Sequence, residues 1–183
     1  MSRKDYENLA IQIAQEYNIN PAFFSSLIEQ ESNWDPSAVS PRNARGITQT
    51  MPLIQNAFGI EDPHDPEQSM RGSARFLDEL FNKYGDDPVR VLAAYNAGEP
   101  AVNSGEWKEF GETTNYVDRI INQRIPSYID RYERLGAERE VQAAPVREQP
   151  RTGPVSFDLP DGTEKRIPDD LPLSKAKAWL ENE

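Results

Sequence analysis

Glu31-Ser32-Asn33-Trp34-Asp35-Pro36-Ser37-Ala38-Val39-Ser40-Pro41, resumed at Gly46-Ile47-Thr48-Gln49-Thr50-Met51-Pro52, is the stretch that decides how this chain is read. Just upstream, Asn20-Pro21 supplies a cap and a first-turn proline, and Phe23, Phe24 and Leu27 follow at helical spacing. The pattern therefore places the Glu31 carboxyl at the end of an apolar helix, immediately before a loop. A carboxyl in that position is partly desolvated, which favours its neutral form and raises its pKa toward values useful for acid catalysis. A solvated surface glutamate is the plain alternative, and the placement alone leaves both open.

Working outward, helical periodicity dominates the first three quarters of the chain. Tyr6, Leu9, Ile13 and Tyr17 recur at three and four residues and predict an opening helix. A segment after Met51-Pro52 carries Leu53, Ile54, Ala57 and Phe58 up to Gly59. Asp65-Pro66 opens a longer one, with Met70, Ala74, Leu77, Leu80 and Phe81 apolar and Gly85 at its end. Asp87-Pro88 begins another, with Val91, Leu92, Ala94 and Tyr95 before Gly98. A last long helix is expected over about 113–135, kinked or divided by Pro126. No convincing period of two occurs here, so residues 1–136 read as one all-α domain.

Beyond Gly136 the composition changes. Residues 137–154 hold prolines at 145, 150 and 154, many charges and almost no large apolar side chain, a linker composition. Val155-Ser156-Phe157-Asp158-Leu159 alternates like a strand, Pro160-Asp161-Gly162 signals a turn, and Lys165-Arg166-Ile167 reads as a second short strand. Residues 172–180 are a short helix candidate. The piece 155–183 is too small to bury much core, and is expected to be a docking segment or the start of a further module.

Composition excludes several functional classes. With 31 acidic against 20 basic side chains the net charge is -11, and no Lys/Arg-rich run offers the cationic face that nucleic acid or an anionic membrane needs. There is no cysteine, hence no disulfide and no thiolate metal site. The single histidine, His64, lies between Asp62-Pro63 and Asp65 and reads as a solvated loop residue; no metal and no cofactor are expected. Met1-Ser2-Arg3-Lys4 is followed by no apolar run, so neither a secretory signal nor a membrane span is predicted at this end.

Three separated motifs resemble the lysozyme-like, soluble-type (SLT) lytic transglycosylases. The first is Glu31-Ser32 with Trp34, Pro36 and Ser40, joined to Gly46-x-x-Gln49-x-Met51-Pro52; the second is Ala93-Ala94-Tyr95-Asn96-Ala97-Gly98; the third is Glu112-Thr113-x-x-Tyr116-Val117. They occur in the family's order over roughly residues 20–125. The resemblance implies an all-α lysozyme-like domain with a cleft. It implies cleavage of the β-1,4 bond between N-acetylmuramic acid and N-acetylglucosamine in peptidoglycan glycan strands, leaving 1,6-anhydromuramic ends.

By the same resemblance Glu31 is the sole catalytic carboxyl, first acid and then base. Tyr95 matches a tyrosine whose hydroxyl approaches that carboxyl, with Asn96 beside it. Ser40 and Gln49 match polar positions lining the cleft, and Met51 a hydrophobic floor under a sugar ring. Glu112 and Tyr116 match the far wall, although Glu112 equally suits a helix N-terminus as a macrodipole partner. The sequence departs from the family at Thr48, commonly apolar there, and at Arg45, commonly small.

Asp35, four residues after Glu31, would neighbour it on a continued helix. Pro36 instead predicts a turn starting at Asp35. Were an acid to position water, the outcome would be hydrolysis, as in goose-type lysozymes; a non-catalytic wall-docking protein is the remaining alternative. A wall-acting domain without a signal at its start suggests assembly into a bacteriophage virion, with the C-terminal segment contacting other virion proteins and the host periplasm as the place of action. A bacterial periplasmic or extracellular setting is the alternative.

Overall fold

The computed structural model describes residues 1–136 and the strand residues 155–158 and 164–167. Its helices are α1 (Arg3–Glu16), α2 (Pro21–Ser32), α3 (Pro52–Phe58), α4 (Pro66–Tyr84), α5 (Pro88–Ala97), α6 (Glu99–Ser104), α7 (Gly111–Asp118) and α8 (Ile125–Gly136). A 3-10 turn (Glu106–Glu109) precedes α7, and a π-helical stretch (Arg119–Arg124) joins α7 to α8. The only β pairing in residues 1–136 consists of two isolated bridges, Val39 with Arg45 and Arg45 with Thr50. Separately, β1 (Val155–Asp158) and β2 (Glu164–Ile167) pair antiparallel, Val155 opposite Ile167. The expected linker 137–154, the turn at 160–162 and the helix at 172–180 lie outside the described residues. No helix among the described residues is long and apolar enough to cross a membrane.

Proline punctuates the helices. Asn20, Met51, Asp65 and Asp87 are N-caps, each followed by Pro, whose fixed φ suits the first turn and whose missing N–H is not needed there. Asn20 Oδ1 accepts from the amides of Ala22 and Phe23 at 2.8 and 3.3 Å, and Asp65 and Asp87 cap Gln68 and Arg90 at 2.9 and 3.0 Å. Each such cap contributes about 1 kcal/mol.

The helix foreseen over about 113–135 begins at Gly111 and is divided into three pieces, a division that Pro126 predicts. Pro126 falls in the first turn of α8; in a regular helix it would leave the carbonyl of Asn122 without a donor and clash with it, and the wider π turn just ahead avoids both. One helix was not foreseen, α6: Gly98 does end α5, but Glu99-Pro100 starts another helix at once.

The core is arranged around α2. Every residue from Pro21 to Ile28 is buried, and α2 packs against α1, α8 and the π stretch. Ser25 Oγ within this apolar layer meets the Tyr132 hydroxyl of α8 at 2.7 Å, so its burial leaves nothing unsatisfied. Outside this layer a charge network grips the end of α2. Buried Glu7 of α1 takes Arg3 at 3.0 Å and Arg131 at 2.7 Å, while Glu29 of α2 takes Arg3 at 2.7 Å and Arg124 at 3.2 Å.

After α2 the chain reverses sharply. Asn33 (φ 52°) and Trp34 (φ 69°) are both left-handed, which a bulky aromatic adopts only under constraint. Trp34 is buried, donates its indole N–H to the Tyr128 hydroxyl at 3.0 Å, and carries the Arg3 guanidinium 5.9 Å above its ring. The loop that follows is closed by Gly46, whose amide donates to the Ala38 carbonyl at 2.9 Å. Gly46 has φ 76°, and a Cβ there would stand 1.7 Å from the Pro63 carbonyl oxygen. Gly46→Ala is expected to lower unfolding free energy by about 3 kcal/mol; an unchanged urea midpoint would contradict the close approach.

Candidate active site

Glu31 stands in the last turn of α2 because the helix cannot continue: Asn33 turns left-handed and its amide closes on the Glu29 carbonyl at 3.0 Å. Ser32 Oγ then donates to the Ile47 carbonyl at 2.7 Å, tying this helix end to the following loop. Glu31 itself is only partly accessible, and its Oε1 accepts a 2.5 Å hydrogen bond from the Tyr116 hydroxyl of α7.

Burial pushes the Glu31 carboxyl up to about 8, while the Tyr116 hydrogen bond, which favours the charged form, pulls the other way. Desolvation wins. No charged side chain among the described residues enters this balance. Asp35 is turned away from it: its Oδ1 accepts from the Ser37 amide and hydroxyl at 2.8 and 2.6 Å, which holds its carboxyl below the usual range.

The two tyrosines differ in what their hydroxyls bind. Tyr116, foreseen on the far wall, makes the hydrogen bond to Glu31, whereas Tyr95 of α5 donates its proton to the Thr48 carbonyl at 2.9 Å. With that proton committed, Ser73 Oγ, at 2.8 Å, must be the donor to the Tyr95 oxygen. Tyr95 still feels Glu31 electrostatically: burial first, and then the nearby carboxylate, push the phenol pKa upward.

The remaining expected residues divide between framework and surface. Gln49, left-handed at φ 48°, gives both amide hydrogens to the loop, to the carbonyls of Ala38 (3.0 Å) and Gly46 (2.9 Å), leaving its Oε1 as acceptor. Ser40 Oγ accepts from the Ala44 amide at 3.0 Å and closes the turn 40–44. Asn96 Oδ1 accepts from Thr113 Oγ1 at 2.8 Å, which fixes α7 against α5 and so places Tyr116. Met51 is the N-cap of α3 and is substantially exposed. Glu112 is exposed too, with Arg42 3.7 Å away as its ionic partner.

Sequence reading missed the buried hydroxyls that complete the frame. Thr48, noted as a departure, is wholly buried, and its Oγ1 meets Ser69 Oγ of α4 at 2.7 Å. Ser69 and Ser73, one turn apart on the buried face of α4, were the available signal. Among the described residues no three His, Cys, Asp or Glu side chains converge as a metal set would. A groove of about 560 Å³ between Tyr17, Phe58 and Arg75 includes none of the site residues.

A neutral buried carboxyl has a thermodynamic signature. Unfolded, Glu31 titrates near its ordinary value of 4.5; folded, near about 8. Between those values the folded chain keeps a proton the unfolded chain has released, so its contribution to stability is full below about 4.5 and is lost as pH rises through about 8. Glutamine has no such dependence. Glu31→Gln should therefore raise the melting temperature relative to wild type more at pH 8.5 than at pH 4.5. An identical difference at both pH values would mean that the carboxyl is not held neutral.

Comparison with known proteins bears on this geometry. The family described as Transglycosylase SLT domain matches residues 8–116. Membrane-bound lytic murein transglycosylase F 1 of Alkalilimnicola ehrlichii is 35% identical over 99 residues, 51% of this chain and 20% of its own length. The Transglycosylase of Enterobacteria phage PRD1 is 32% identical over 116 residues, 63% of this chain and 41% of its own. The chain thus spans about a fifth to two fifths of the length of these relatives. The 70 kDa soluble lytic transglycosylase of Escherichia coli shares the fold, with a TM-score of 0.61 at 24% identity over 72% of this chain and 24% of that one. With the match covering more than half of its residues, this chain belongs to the transglycosylase SLT domain family.

Proposed function

We propose that this domain cleaves the bond between N-acetylmuramic acid and N-acetylglucosamine in peptidoglycan by intramolecular transglycosylation. The observation that carries this reading is the poorly solvated Glu31 carboxyl, hydrogen-bonded by the Tyr116 hydroxyl and, among the described residues, with no second carboxylate entering its electrostatic balance. A glycosidase that activates water or attacks with its own side chain needs two carboxyl groups. One suffices when the nucleophile belongs to the substrate.

Neutral Glu31 gives its proton to the bridging oxygen as the bond from muramic C1 to that oxygen breaks. The muramic 6-hydroxyl then closes onto C1, and its proton returns to Glu31. One C–O bond breaks and one forms, no water is consumed, and the enzyme regains its starting state. Between the two transfers Glu31 is a carboxylate in a poorly solvated place. The Tyr116 hydroxyl, at 2.5 Å, stabilises that charged interval more than it stabilises the acid. Tyr95, Gln49, Asn96 and Ser40 serve by fixing the walls on either side; Met51 is offered as a sugar contact because it is exposed beside the loop.

Hydrolysis of the same bond is the competing reading, and a wall-docking role without turnover is another. Mass spectrometry of digested peptidoglycan separates them: anhydromuramic ends from wild type, with Glu31→Gln at least about 10³-fold slower, are expected. Reducing ends would transfer the assignment to a muramidase, and undiminished function of Glu31→Gln to a docking protein. The 32% identity to the phage PRD1 transglycosylase favours a bacteriophage setting, with other virion proteins as partners; absence of the chain from purified particles would discard it.

The proton inventory also sets the pH profile. Because Glu31 must start protonated, kcat/KM should fall above pH about 8. Tyr116→Phe removes the contact that favours the charged form, so it should move this limb upward while lowering kcat about 10- to 100-fold. A limb that stays in place would assign it to another group.

A further inference from the structure

Two contacts reach the end of α2 from one continuous stretch of chain. Tyr116 of α7 donates to Glu31 Oε1 at 2.5 Å. Eight positions on (116 to 124), Arg124 ends the π-helical stretch and donates from Nε to Gln30 Oε1 at 2.9 Å. Its Nη1 lies 3.2 Å from Glu29 Oε2. Glu29, Gln30 and Glu31 are consecutive in the last turn of α2, so both contacts act on that turn. Between them in sequence, Ile120 is wholly buried in the core.

A regular helix would not bring both side chains there. Eight α-helical residues make about 2.2 turns, which leaves positions 116 and 124 about 80° apart around the axis. A π-helix closes its hydrogen bonds over i→i+5 and takes more residues per turn. The stretch Arg119–Arg124 absorbs the excess rotation and returns Arg124 to the face that carries Tyr116. The wide turn that accommodates Pro126 thus also aims the guanidinium at α2.

Charge alone does not account for this arginine. Glu29 is already met by Arg3 at 2.7 Å, and Gln30 is neutral. Nor does Arg124 act on the Glu31 carboxyl through space: burial and Tyr116 set its balance, and Tyr95 is the other titratable group coupled to it among the described residues. What the planar fork adds is geometry, because holding two consecutive side chains fixes the rotation of the turn about the helix axis. At about 6 Å from that axis, about 10° of rotation moves a side-chain atom by about 1 Å. That displacement is enough to break a hydrogen bond.

We propose that Arg124 is a positioning residue: through Gln30 and Glu29 it fixes the last turn of α2 and keeps the Glu31 carboxyl on the Tyr116 hydroxyl. The inference rests on the transglycosylase reading for its effect on turnover, and not for its effect on Glu31 itself. The test follows the Glu31 carboxyl by carbon-13 NMR across pH, with release of anhydromuramic ends measured alongside. It compares wild type, Arg124→Ala, Arg124→Lys, Tyr116→Phe and the double variant Arg124→Ala with Tyr116→Phe. Because the Tyr116 hydrogen bond favours the charged form, Arg124→Ala should move the Glu31 titration to higher pH, as Tyr116→Phe does. Its kcat should fall about tenfold with KM little changed. Arg124→Lys keeps the charge without the fork and should shift the titration in the same direction. In the double variant the titration should move no further than in Tyr116→Phe. Arg71→Ala loses a comparable pair of contacts, to Glu16 of α1 and Glu67 of α4, and should leave the titration in place. A shift in Arg71→Ala as large as in Arg124→Ala would mean general loosening and overturn the inference. So would a titration unmoved in Arg124→Ala, or a shift that Arg124→Lys abolishes or that persists on top of Tyr116→Phe, since charge and not placement would then act. Wild type that releases no anhydromuramic ends overturns the reaction, while the NMR comparison still decides the positioning.

Discussion

A carboxyl only partly open to water, met by a phenol that prefers it charged, is the interaction on which the geometry of the site depends. Burial alone would leave Glu31 a permanent acid, able to give a proton and slow to take one back. The Tyr116 hydroxyl alone would make it an ordinary carboxylate. Together they hold it near about 8, where neither protonation state is far in energy from the other. On the function proposed above, where one residue serves as acid and then base, that near-degeneracy is what the chemistry asks for.

Holding a 2.5 Å contact between two helices that are 85 positions apart in sequence demands stiffness on both sides. On one side the final turn of α2 is gripped by Arg3 and Arg124 through Glu29, by Trp34 locked onto Tyr128, and by Ser32 on the Ile47 carbonyl. On the other, Thr113 fastens α7 to Asn96 of α5. The π stretch after α7 accommodates Pro126, so α8 can cover α2 while α7 keeps its own course. Precise placement here comes from many ordinary bonds, each of modest strength, acting on short elements.

Much of this architecture was legible in the residues. Asn20-Pro21, Asp65-Pro66 and Asp87-Pro88 announce helix starts because cap and proline act locally, and Glu31 is marked by standing where an apolar helix meets a loop. Of the expected site residues, Tyr116 hydrogen-bonds to Glu31. That Tyr116 and not Tyr95 would make this contact was not legible: two phenols on neighbouring helices look alike, and the choice depends on how α5 and α7 pack. Long-range ion pairs such as Arg3 with Glu29 were equally silent, since nothing in either residue's neighbourhood names its partner. The extra helix α6 was hidden by a glycine that ends one helix while the next begins beside it.

Thr48 and Ser69 carry a consequence for which substitutions this fold tolerates. Each hydroxyl is sealed from water and answered by the other at 2.7 Å. An apolar side chain at position 48 would strand the Ser69 hydroxyl or force it elsewhere. The two positions are thus energetically coupled: replacing either hydroxyl alone should cost more than replacing both together with side chains that fill the same space.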